Sequence, residues 1–136
     1  MKARKRVWIA AFVLLTAAAL IALSHDGAPR ITPADAHALL HSDSTVILLD
    51  VRTPAEFKSD TGHLAHALLI PLQELEQRSA ELAGFKQRTI VVYCRTGHRS
   101  TAASEILSSL GYKVLNMEGG ITRWRAEGLP TVLEPR

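Results

Sequence analysis

The chain has 136 residues, 47% hydrophobic and 21% charged, which is room for one packed domain and not for two. Its net charge of +3 is unevenly spread: residues 1–24 hold Lys2, Arg4, Lys5 and Arg6 and no acid, and the remainder has 12 Lys/Arg against 13 Asp/Glu. The basic balance therefore belongs to the leader and gives no reason to expect nucleic-acid binding, while the single cysteine excludes an intrachain disulfide.

Residues 1–24 read as a targeting segment. A basic start precedes Val7 to Leu23, a run whose only polar member is Thr16. The run is long for a signal-peptide core and short for a spanning helix. Ala22-Leu23-Ser24 offers small residues for cleavage. A cleaved signal peptide and an uncleaved N-terminal anchor both fit, and both keep the basic flank in the cytoplasm. The following domain is thus expected on the periplasmic side of a bacterial inner membrane, touching the membrane only through this hydrophobic leader helix. Residues 25–30 form a polar linker, and 31–136 the folded domain.

Ile31 suits a brief strand. Thr32-Pro33-Ala34-Asp35 then predicts a helix, with Thr32 as N-cap, Pro33 in the first helical position and Asp35 in the first turn. His37 and His41 share a face of it, but two imidazoles without a third ligand make a poor metal site, and no metal is expected. Val46 to Leu49 is a continuous apolar run ending in Asp50, the pattern of a parallel strand covered on both sides. Thr53-Pro54-Ala55-Glu56 carries a capping-box signal, and Arg52 is spaced to pair with Glu56. Asp50 sits where open α/β sheets place ligands; the expected role of Asp50, Arg52 and Glu56 is to hold the wall of a site.

Gly62-His63-Leu64 is a turn before a third strand, Ala67 to Ile70, stopped by Pro71. Leu72 to Leu82 reads as an amphipathic helix. Gly84 and Gln87 flank the turn into Thr89 to Tyr93, a β-branched and aromatic run that ends on Cys94. Arg95, Thr96, Gly97, His98 and Arg99 follow, and a helix is predicted over Ser100 to Leu110 with Ala103, Ile106, Leu107 and Leu110 inward. Gly111 suits its C-terminal cap. Lys113 to Met117 is the last strand, with Glu118-Gly119-Gly120 at its end, then Trp124 as a core residue and a tail from Gly128.

The stretch around Cys94 carries the chemistry. A buried strand delivers a thiol into a short loop that ends at a helix N-terminus. Backbone N–H groups of such a loop can converge on an anion, and the helix end adds its own. These surroundings lower a thiol pKa from about 8.5 toward 7, and Arg95 and Arg99 bring full positive charges. A cysteine that merely packs a core needs none of this.

The loop, with Asp50-Val51-Arg52-Thr53-Pro54-Ala55-Glu56-Phe57, Gly62-His63-Leu64 and Glu118-Gly119-Gly120-Ile121 before Trp124, resembles the rhodanese (sulfurtransferase) domain family over Ile31 to Thr131. The resemblance implies a three-layer α/β/α domain with a five-stranded, mainly parallel sheet, in the single-domain exported form. It implies Cys94 as nucleophile, residues 95–99 as the anion-binding loop, and Asp50, Arg52, Glu56, Ser100, Glu118 and Gly119 in support. The chain departs from the family pattern at Ala65-His66-Ala67. The implied substrates are a small sulfane-sulfur donor such as thiosulfate and a thiol or cyanide acceptor, with no cofactor and a monomeric protein.

Three other readings compete. Cysteine phosphatases of related fold have a loop one residue longer between Cys and Arg, with His before the Cys; here four residues separate Cys94 from Arg99 and Tyr93 precedes Cys94. A thiol redox protein needs a resolving cysteine, and the sequence has none. A non-catalytic binding module is the different-class alternative, against which the retained Cys94 and its arginines argue. His63 and His66 are candidates for acid–base groups, although transfer to an ionised thiol needs no base.

Overall fold

The computed structural model describes residues 27–135, so the expected leader over residues 1–24 lies outside them. Among the described residues no helix is long and apolar enough to cross a membrane. The elements in order are β1 (Arg30–Ile31), α1 (Pro33–Ser42), β2 (Ile47–Asp50), α2 (Pro54–Phe57), β3 (Leu68–Leu69), a 3-10 turn (Leu72–Glu74), α3 (Leu75–Arg78), a second 3-10 stretch (Ser79–Phe85), β4 (Thr89–Tyr93), α4 (His98–Ser109), β5 (Lys113–Met117) and α5 (Gly120–Ala126). The strands form one five-stranded sheet in the order β1-β5-β4-β2-β3. Every pairing is parallel, so all strands end on one edge.

Strand periodicity explains the two cores. On β4, Ile90 and Val92 point to one face and Val91 and Tyr93 to the other. The first face, with Leu49, Val51 and Val114, is covered by Leu75, Leu82, Ala103 and Leu107. The second, with Leu48 and Met117, is covered by Ala36, Ile121 and Trp124. Helices thus lie on both sides of the sheet, and Cys94 continues the alternation toward the first face.

The start signals act as expected. The Thr32 side chain accepts the Asp35 N–H at 3.2 Å. At α2 the capping box is complete: the Thr53 hydroxyl accepts the Glu56 N–H, and Glu56 accepts the Thr53 N–H at 3.0 Å.

Four expectations are corrected. The helix predicted over Leu72 to Leu82 is broken into two 3-10 pieces around the four-residue α3. The Tyr112 hydroxyl donates to the Ser79 carbonyl at 2.9 Å, at the start of the second 3-10 stretch. The next helix starts at His98 rather than Ser100, and Leu110 lies outside the core at 43% exposure, beyond the last helical residue. Gly111, at φ +86°, turns the chain away there. Arg30, placed in the linker by the sequence, belongs to β1 and pairs with Asn116. The tail is not loose: His63 and Val132 exchange both backbone hydrogen bonds, at 3.0 and 2.8 Å. Gly62 makes this possible, since a Cβ there would stand 2.3 Å from the Val132 carbonyl.

Candidate active site

Cys94 leaves β4 at the sheet's C-terminal edge, where parallel α/β sheets bind ligands. The loop after it turns at Gly97, whose φ of +111° suits glycine. Gly97 is also the N-cap of α4 and supplies no capping side chain, so the first N–H groups of the helix are left for another acceptor. That acceptor is the sulfur. The Gly97 N–H donates to Cys94 Sγ at 3.1 Å, and the Ser100 hydroxyl oxygen lies 3.5 Å from it.

Burial pushes the Cys94 thiol up, but hydrogen bonds to the anion outweigh it and hold the pKa below the ordinary thiol range. The Ser100 hydroxyl leads these, followed by the backbone N–H groups of Ser100, Gly97 and Thr96. The arginines expected to lead this work do not: Arg99 acts on the thiolate only through its charge, behind these hydrogen bonds. Arg99 turns instead to Glu56 in a two-pronged pair, with both N···O distances 2.7 Å. That pair, with the Thr53 contacts, holds Glu56 down to about 2. Arg95 is exposed, as are Thr96 and His98.

A second correction concerns Arg52. Its expected partner was Glu56, but its guanidinium goes to Asp50, through Nε to both carboxylate oxygens at 3.0 Å and through Nη2 at 2.7 Å. Nη2 also donates to the Gly62 carbonyl at 2.8 Å. Arg52 is 1% exposed and Asp50 fully buried. Tyr93, which precedes Cys94, accepts the Leu64 N–H at 3.1 Å through its phenol oxygen. Burial and the Asp50 charge push its pKa well above the usual phenol range, so the phenol stays neutral. Asp50, Arg52 and Tyr93 therefore form a buried polar wall that ties β2 and β4 to the Gly62–Leu64 turn.

The double glycine sets the loop's other boundary. Gly119 (φ +70°) and Gly120 (φ +58°) bring α5 against the loop. The Ile121 N–H donates to the Cys94 carbonyl at 2.9 Å and the Thr122 N–H to the Arg95 carbonyl at 3.1 Å. A Cβ on Gly120 would stand 2.5 Å from both carbonyls. Glu118 does not face the thiol; it pairs with Arg123 at 3.0 Å.

Neither histidine candidate reaches the sulfur. His63 stacks on Phe57 with ring centres 3.7 Å apart, and its nitrogens meet the Leu64 carbonyl and Glu134. His66, at φ +64°, lines a separate groove with His37, His41 and Trp124. Among the described residues no group of three or more His, Cys, Asp or Glu is placed to hold a metal ion. Two residues stand closer to the loop than the sequence marks them: the Tyr93 hydroxyl, whose strand position reads as core, and Gly120, visible only as half of a glycine pair.

The rhodanese-like domain family model matches residues 32–127. This chain belongs to the rhodanese-like family. It is 43% identical over 88 residues to a sulfurtransferase of Allochromatium vinosum, covering 64% of this chain and 78% of the relative. It is 38% identical over 73 residues to the thiosulfate sulfurtransferase PspE of Escherichia coli, covering 54% and 68% of the two chains. The crystal structure of a rhodanese-related protein from Thermoplasma volcanium superposes with a TM-score of 0.71 at 37% identity, over 78% of this chain and 99% of that one. The rhodanese-like fold and the chain's cysteine loop thus agree with the motifs that first pointed to the family.

Proposed function

We propose that this rhodanese-like protein is a sulfurtransferase that carries one sulfur atom on Cys94. The observation that carries the reading is the seat of Sγ at the start of α4, with the Gly97 N–H donating to it at 3.1 Å and the Ser100 hydroxyl oxygen 3.5 Å away. The names of the Allochromatium and Escherichia relatives support the reaction class.

In the first half-reaction the Cys94 thiolate attacks the outer sulfur of thiosulfate. A new S–S bond forms, the donor's S–S bond breaks, and its electron pair leaves with sulfite. The persulfide that remains carries one negative charge, and the loop N–H groups that held the thiolate are placed to hold it. In the second half an acceptor thiolate or cyanide attacks that outer sulfur and the bond to Cys94 breaks, which restores the Cys94 thiolate. The thiol is only 1% exposed, so a terminal sulfur reaches it where a broad group does not.

On the strength of residues 1–24 we place the protein on the periplasmic side of a bacterial inner membrane, which cell fractionation checks. The test of the chemistry is the intact mass of the purified protein after incubation with thiosulfate. The expected result is an added mass of one sulfur atom, absent from Cys94→Ser. A well-folded protein that takes up no sulfur from several sulfane donors would instead be a binding module.

A further inference from the structure

Beside the loop, a cleft of about 480 Å³ opens between α2, the turn that follows it and α5. Its lining includes Glu56, Ser59, Thr61, Arg95, Thr122 and Arg125, with the edge of Arg52. Arg52 is matched by Asp50, and Glu56 is occupied by Arg99. Arg95 and Arg125 are both exposed, and among the described residues no carboxylate pairs with either. The cleft thus carries two guanidinium groups that stand in none of the ion pairs of the described residues, among three hydroxyl-bearing side chains, the chemistry of a carboxylate or phosphate receptor.

The cleft is also built rather than incidental. Thr122 and Arg125 are one helical turn apart, so they project on one side of α5 while Ile121 and Trp124 anchor the other. The bond from the Thr122 N–H to the Arg95 carbonyl fixes the two elements that carry the arginines. Cys94 itself does not line the cleft.

We propose that this cleft is a second anion subsite, which holds a carboxylate several bonds away from the reacting sulfur of an anionic thiol. The inference rests on the sulfurtransferase reading and names a substrate class for it. Thiosulfate does not meet the description, because its sulfonate is bonded directly to the sulfur that moves. A thiol of small-peptide size does, whether it arrives free and takes the sulfur or arrives as its persulfide and delivers it. As acceptor, its thiolate attacks the outer sulfur of the Cys94 persulfide, the S–S bond to Cys94 breaks, and the product leaves as the thiol's persulfide. As donor, the same bonds form and break in reverse.

The probes are glutathione, its persulfide and uncharged 2-mercaptoethanol, with the full-length protein. Arg125→Gln is expected to raise the KM for glutathione about tenfold, the loss of one charge-assisted contact. The expected kcat is unchanged, as are the KM for 2-mercaptoethanol and the rate of loading from thiosulfate. Arg125→Lys restores part of the loss. The same shift with glutathione persulfide as donor shows which half-reaction uses the cleft. Equal shifts for glutathione and 2-mercaptoethanol, or none for either, overturn the proposal. S-methylglutathione, which can neither give nor take sulfur, separates binding from chemistry in a calorimetric titration. Saturable binding weakened about tenfold by Arg125→Gln supports the subsite even if no donor loads Cys94; no binding to the unaltered protein sinks the subsite and leaves the sulfurtransferase reading standing.

Discussion

At the scale of single residues, Ser100 is expected to matter more to the Cys94 thiolate than either arginine of the loop. Its hydroxyl and its N–H both favour the charged form of Cys94, whereas Arg99 is engaged by Glu56. The thiol's ionisation midpoint is therefore expected below 9.0, and Ser100→Ala should raise it. Ultraviolet absorbance of the thiolate against pH, with Cys94→Ser as blank, measures both. Arg99 instead gives the fold a pH dependence through Glu56. A carboxyl lowered from 4.5 to about 2 stabilises the folded state fully above pH 4.5, and loses that contribution as pH falls toward 2. The stability advantage over Glu56→Gln should shrink across that window in denaturant titrations at successive pH values. The cysteine loop was legible in the sequence because its parts are contiguous. The Glu56–Arg99 pair was not, since its members are 43 positions apart and only the folded sheet edge brings them together.

Among the elements, the regular strands and their caps were readable and the segment before β4 was not. Caps depend on residues three apart, and β5 matches its apolar run from Lys113 to Met117. The stretch from Leu72 to Phe85 has helical spacing, but it is tied at the Ser79 carbonyl to Tyr112 from beyond α4, a contact 33 positions away that no local pattern marks. The inward face of α4 was misread in one place. Leu107 is fully buried and Leu110 is 43% exposed. Leu107→Ala should cost about 3 kcal/mol and Leu110→Ala within about 0.5 kcal/mol, by thermal or denaturant unfolding. The junction of β5 and α5 is less forgiving still. Gly120→Ala sets a side chain against two carbonyls at a left-handed φ, and should destabilise by about 2 kcal/mol or more. Because those carbonyls belong to Cys94 and Arg95, the variant should also slow sulfur loading, which mass spectrometry follows in the same samples.

For the whole molecule, the parallel topology and the family were legible from motif order, while the closure of the tail was not. Val132 and Glu134 meet His63 across more than half the chain, and nothing local in Gly128 to Arg136 marks that contact. A protein shortened to end at Leu129 should melt several degrees lower, since 1 kcal/mol is worth about 4–8 °C in a domain of this size. Hydrogen exchange should quicken first at His63, whose N–H donates to Val132. The Gly62 carbonyl that holds Arg52 sits in that same turn. The order of synthesis then has a cost. A nascent chain already contains Cys94, α4 and the sheet's central strands when the polymer still lacks the segment that pins the turn over Arg52. The polar wall beside the thiol is complete only once Val132 has emerged, so a stalled or clipped product would present Cys94 without its full support.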